Sequence, residues 1–61
     1  MIKIDEFRNA IAEQGGDTVL CEQTATLEVY CGERALEYKL ANWYGGSYHD
    51  VDESQYRDLN A

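Results

Sequence analysis

Sixty-one residues and 7.0 kDa fit a single domain over 1–61 and exclude folds as large as a doubly wound dinucleotide-binding sheet or a (β/α)8 barrel. Twelve Asp and Glu against five Lys and Arg leave a net charge of −7 and an isoelectric point near 4.3, a field that repels nucleic acid and anionic membrane and attracts basic protein surfaces. Hydrophobic residues make up 44% of the chain, enough to fold, but a domain this small buries only about 60% of its unfolded-chain surface and has little room for a buried active site.

The opening MIKIDEFRNAIAEQGG has no apolar run of the length a signal peptide or membrane span requires, so the expected location is the cytoplasm, with no membrane partner. Asp5 is placed to cap a helix over about Glu6 to Gln14, in which Phe7, Ala10 and Ile11 recur at helical spacing. Gly15 and Gly16 supply its left-handed stop. Next come DTVLCEQ, TATLEVYCG and ERALEYKLAN, rich in β-branched and aromatic residues, which read as three antiparallel strands.

The second hairpin follows to the residue. Gly32 before Glu33 suits a two-residue type II′ turn, which sets Cys31 opposite Arg34, Val29 opposite Leu36 and Leu27 opposite Tyr38. The same turn sets Glu28 opposite Glu37 and Thr26 opposite Lys39, so apolar pairs share one face and polar pairs the other. Two- and three-residue connections around Gln23 give Leu20 opposite facings, so the register of the first strand stays open.

After Asn42, WYGGSYHDVD reads as an aromatic loop turning at Gly45 and Gly46. Asp52, three residues before Gln55, has capping-box spacing and predicts a short helix over 53–60 with Tyr56 and Leu59 inward. The expected fold is α+β, an N-terminal helix packed on a three-stranded antiparallel sheet, with an aromatic loop and a short C-terminal helix.

Like charges directly opposite on a sheet are destabilising, which makes the Glu28–Glu37 pair the most informative feature of the chain. With Glu22, Asp50, Asp52 and Glu53, it predicts a strip of carboxylates with same-face spacing of about 7 Å, acceptable to a protein groove that holds DNA through Lys and Arg. Trp43 is expected to cover the end of the sheet, leaving Tyr44 and Tyr48 as aromatic anchors beside an acidic rim. Base stacking on these rings would need a basic surround, so direct nucleic-acid binding is not expected.

Cys21 and Cys31 lack CxxC spacing and read as reduced core thiols. His49 and Asp50 are a single imidazole and a neighbour, short of a metal site. The DVDES run lacks the sixth-position Gly of a calcium loop, and Ala61 stands where the bidentate Glu belongs. No cofactor, metal or enzymatic activity is expected. A monomer is expected over the alternative of a homodimer joined at an uncovered sheet edge, since Glu22 and Lys39 near the edges discourage such pairing.

The order helix, three strands, helix is that of the double-stranded-RNA-binding domain, but Asp52, Glu53 and Asp58 stand where that family carries basic residues. In size, acidity and α+β character all 61 residues resemble the small acidic anti-CRISPR proteins of phages and mobile elements that imitate DNA. The resemblance implies a non-enzymatic inhibitor blocking target DNA and protospacer-adjacent-motif recognition by a type I Cascade complex. The alternative is an acidic adaptor or regulatory module that binds through Trp43–Tyr48.

Overall fold

The computed structural model describes residues 1–60. A short strand β1 (Ile2–Lys3) runs directly into helix α1 (Ile4–Glu13), and a meander follows of β2 (Asp17–Cys21), β3 (Thr26–Cys31), β4 (Arg34–Tyr44) and β5 (Ser47–Asp58). All pairings are antiparallel, and the five strands form one sheet in the order β1-β5-β4-β3-β2. The three-stranded sheet with a terminal helix is thereby corrected.

Helix α1 begins two residues before the expected start, because β1 is pinned to β5 through Ile2–Val51 and Lys3–Asp50. Lys3 therefore occupies the N-cap and makes no side-chain cap bond, while Asp5 falls in the first turn, where its charge complements the helix dipole. The C-terminus is as expected. Gly15, at φ +82°, donates to Ala12 O at 3.0 Å and Gly16 donates to Ile11 O at 2.9 Å, the two bonds of a Schellman motif.

The β3–β4 hairpin has the expected register at every pair, from Cys31–Arg34 to Thr26–Lys39. Gly32 is at φ +62°, and Glu33 is outside the left-handed region, as a II′ turn requires. The first strand's register is settled by a four-residue connection, Glu22 to Ala25, which pairs Leu20 with Leu27 and turns Leu20 to the core. Ala25 takes φ +57° in that turn, a conformation that Ala does not advertise in a sequence.

The largest correction is C-terminal. Gly45 and Gly46, both at positive φ, make a two-residue hairpin turn that closes Tyr44 on Ser47, so the aromatic loop is the end of β4 and the start of β5. The expected helix over 53–60 is mostly strand. A helix of that length is marginal by itself, whereas the extended chain satisfies the hydrogen bonds of β4 and lays Tyr56 on Tyr38 at 5.6 Å between ring centroids. The capping signal is real but serves another purpose. Asp52 accepts from the Ser54 N–H at 3.2 Å, the Ser54 hydroxyl at 2.6 Å and the Gln55 amide at 2.8 Å. These bonds organise a bulge: Lys39 pairs with Asp52 but its neighbour Tyr38 pairs with Tyr56, leaving Glu53, Ser54 and Gln55 between.

Ile4, Leu27, Val29, Leu40 and Val51 form the core, and Leu27 and Val51 are fully buried. Phe7, Ile11, Leu20, Tyr38 and Tyr48 pack around them, Phe7 meeting Tyr38 edge-on at 5.0 Å. Helix α1 thus covers one face of the sheet, and among the described residues no element packs on the other. Among the described residues no helix is long and apolar enough to cross a membrane.

Candidate functional site

Side chains alternate along a strand and residues paired across strands share a face, so the register fixes what the open face carries. Opposite the buried Leu27 and Val29 series lie Thr26, Glu28 and Tyr30 of β3, flanked by Asp17, Val19 and Cys21 of β2 and by Ala35, Glu37 and Lys39 of β4. On β5, Arg57 stands against Glu37, Asp52 against Lys39, and Asp50 between Ala41 and Lys3.

The expected carboxylate strip is therefore segmented. Glu28 and Glu37 are opposed as expected, but Arg57 binds Glu37 at 3.1 Å, and three of the five basic residues, Lys3, Lys39 and Arg57, share this face. Asp50 and Asp52 alternate with lysines. The part of the face with no basic residue directly opposite a carboxylate in the register is the β2–β3 corner, where Glu28 stands between Val19 and Glu37 and accepts a hydrogen bond from the Tyr30 hydroxyl. That bond is the largest cause raising the Tyr30 pKa, with burial and the charges of Glu28 and Glu37 adding to it. Asp17, paired with Tyr30, completes the corner and was missed by sequence reasoning, because its facing depends on the unread register of β2.

The other expected site residues are dispersed. Glu22 lies in the β2–β3 turn, half-buried, beside a cleft bordered by Lys3, Asp5, Leu20 and Tyr48. Glu53 sits in the bulge, 3.1 Å from the N-terminal ammonium. Its own backbone N–H and that ammonium hold its carboxyl below the ordinary value. Asp50 accepts a hydrogen bond from the Asn42 amide. The Ser54 hydroxyl is the chief cause depressing Asp52.

The aromatic residues form a second feature at the β4–β5 tip. Trp43, expected to cover the sheet, is 55% exposed, and Tyr44 is 58% exposed. Tyr48 instead packs on the core and meets Trp43 edge-on at 4.8 Å. Tyr44 stacks on His49 at 4.1 Å, and His49 Nε2 donates to the Tyr44 carbonyl at 3.0 Å. Trp43 and Tyr44 end up outside because the β4–β5 hairpin continues past the core residues Leu40 and Val51 to its turn at Gly45 and Gly46.

Cys21 and Cys31 are free and half-buried, outside the buried core that the sequence suggested for them. A hydrogen bond from the Thr24 side chain is the main cause lowering the Cys21 pKa. Among the described residues no three His, Cys, Asp or Glu side chains are grouped so as to hold a metal ion. No protein-family model, curated protein or solved structure matches this chain.

Proposed function

We propose that this chain is a non-catalytic inhibitor that lays the open face of its sheet on a Lys- and Arg-lined nucleic-acid-binding surface, standing in for DNA. The observation that carries the reading is the Glu28–Glu37 pair. The two carboxylates lie in direct register on the face of the sheet away from the helix, and Glu28 makes no ion pair among the described residues. Such an arrangement works against folding and gains its use only when a cationic partner arrives. Glu28, Glu37 and Asp17 make the primary contact, with Asp50 and Asp52, set in register against Lys3 and Lys39, as a second anionic row. Glu22 and Glu53 contribute through the long-range field of a chain at −7. The finer form of the proposal is an anti-CRISPR protein of the DNA-imitating kind, blocking target recognition by a type I Cascade complex in a bacterial cytoplasm.

The test is capture of partners from a bacterial lysate at low and high salt, with duplex DNA as competitor. Release of a DNA-binding subunit by both salt and DNA supports the proposal, and loss of capture on Glu28→Lys assigns the face. A partner that resists both salt and DNA overturns it.

The exposure of Trp43 and Tyr44 at the hairpin tip supports a second reading, an adaptor that binds by aromatic anchoring. In that case Tyr44→Ala abolishes capture, Glu28→Lys leaves it intact, and ionic strength matters little.

A further inference from the structure

The two edges of the sheet are built differently. On the β5 side, β1 covers Asp50 and Val51, and the free stretch beyond begins in the bulge and carries Glu53, Arg57 and Asp58. Bulges and charges of this kind keep a sheet edge from pairing with another chain. The opposite edge, β2, is joined among the described residues to β3 alone, has no bulge in its register and carries one charge, Asp17, at its first position, while Glu22, one of the two expected edge guards, lies just past its end in the turn to β3. Lys39, which the sequence suggested as an edge guard, lies inside the sheet opposite Asp52. Val19, at the centre of β2, is 50% exposed.

From this asymmetry we infer that β2 is a self-association edge, pairing antiparallel with β2 of a second copy about a two-fold axis at Val19 to form a ten-stranded sheet. A two-fold interface must be self-complementary, and β2 satisfies this. The axis sets Val19 against its own copy, Thr18 against Leu20 and Asp17 against Cys21, so no like charges stand directly opposite, and Glu22 falls against Gly16. The two Asp17 residues are four positions apart along the ladder, about 14 Å. The helix flank adds charge complementarity. Asp5, Arg8, Asn9, Ala12 and Thr18 border one groove, in which Arg8 Nε donates to Thr18 Oγ1 at 2.9 Å, while Asp5 also borders the cleft that holds Leu20. Because Thr18 faces Leu20 of the second copy, the axis turns Arg8 of each chain toward Asp5 of the other. Neither residue forms an ion pair among the described residues of its own chain. The inference stands apart from the inhibitor reading. Where both hold, the row Glu37, Glu28, Val19 continues into the second copy and doubles the acidic face.

The test is sedimentation equilibrium of the full chain over a wide concentration range at about 0.15 M salt, where repulsion between the copies is screened beyond about 8 Å. The expected mass rises from 7.0 kDa to twice that value. Val19→Lys is expected to hold the chain monomeric with an unchanged far-ultraviolet circular dichroism spectrum. Arg8→Glu is expected to weaken association roughly tenfold, and Arg8→Glu combined with Asp5→Arg to restore it. Should Val19→Lys fail to fold, the charge-swap pair decides. A wild-type chain that stays monomeric up to about millimolar concentration, a dimer that survives Val19→Lys, or a swap that restores nothing overturns the inference.

Discussion

Replacing Glu28 by Lys is expected to separate stability from the proposed binding, because the two should respond with opposite sign. The substitution removes a like-charge pair opposite Glu37 and creates an opposite-charge pair, each worth about 0.2–1 kcal/mol on a sheet. The lost hydrogen bond from Tyr30 offsets part of the gain, and Arg57 already satisfies some of the charge on Glu37 at 3.1 Å. A net stabilisation of about 0.5–1 kcal/mol remains, equivalent to about 2–8 °C in the melting temperature of a domain this size. The change also moves the net charge by two units, from −7 to −5, at the centre of the proposed contact. Thermal unfolding followed by circular dichroism is expected to show the higher midpoint, while affinity for a basic DNA-binding partner falls and loses part of its salt dependence. A melting temperature lowered by several degrees would refute the assignment of Glu28 and Glu37 to one solvent-facing register. Unchanged affinity alongside a raised midpoint would remove the sheet face from the functional argument.

Three further outcomes are expected. Gly16→Ala places a Cβ 2.7 Å from Ile11 Cγ2 and 2.8 Å from the Tyr30 carbonyl oxygen, so urea denaturation should show a loss of about 1–3 kcal/mol; a neutral result would mean the Schellman turn relaxes freely. Leu27→Ala empties a fully buried position and should remove about 2–5 kcal/mol, against a total of about 3–9 kcal/mol expected for 61 residues, leaving a partly unfolded chain at 37 °C by amide hydrogen exchange. The Asp52 carboxyl is held below its ordinary value chiefly by the Ser54 hydroxyl, so its contribution to the bulge is complete above about pH 4 and is lost as pH falls through the lower folded-state value. The Ser54 amide resonance should titrate in that acid range, and Ser54→Ala should move the midpoint upward. Titration at the ordinary carboxylate value in both proteins would show that the Asp52 contacts do not form in solution.

Where turn chemistry and alternation are encoded by neighbouring residues, the chain is legible. Gly32 before Glu33 and the spacing of Leu27, Val29, Leu36 and Tyr38 give the β3–β4 register completely, and the opposed Glu28 and Glu37 with it. The C-terminal third misled for a specific reason. Asp52 with Gln55 is equally suited to a helix cap and to a bulge, since in both the side chain satisfies backbone and amide donors just ahead of it. The usable signal was Gly45-Gly46, two glycines between aromatic runs, which is as good a hairpin turn as it is a loop. Asp17 could not be assigned a face because a four-residue connection with Ala25 at positive φ has no sequence signature.

By itself the sequence determined the acidity, the helix with its glycine stop and the central hairpin, all of which follow from charge count or from contacts between residues close along the chain. Only the tertiary structure decided that β5 runs the length of β4, that β1 pins the helix start, and which carboxylates stand near a cation. Those outcomes depend on which strand satisfies the unpaired edge of β4, a competition between distant segments that local preference does not resolve. The placement of Lys3, Lys39 and Arg57 among the acids of the open face is the functional consequence of that choice.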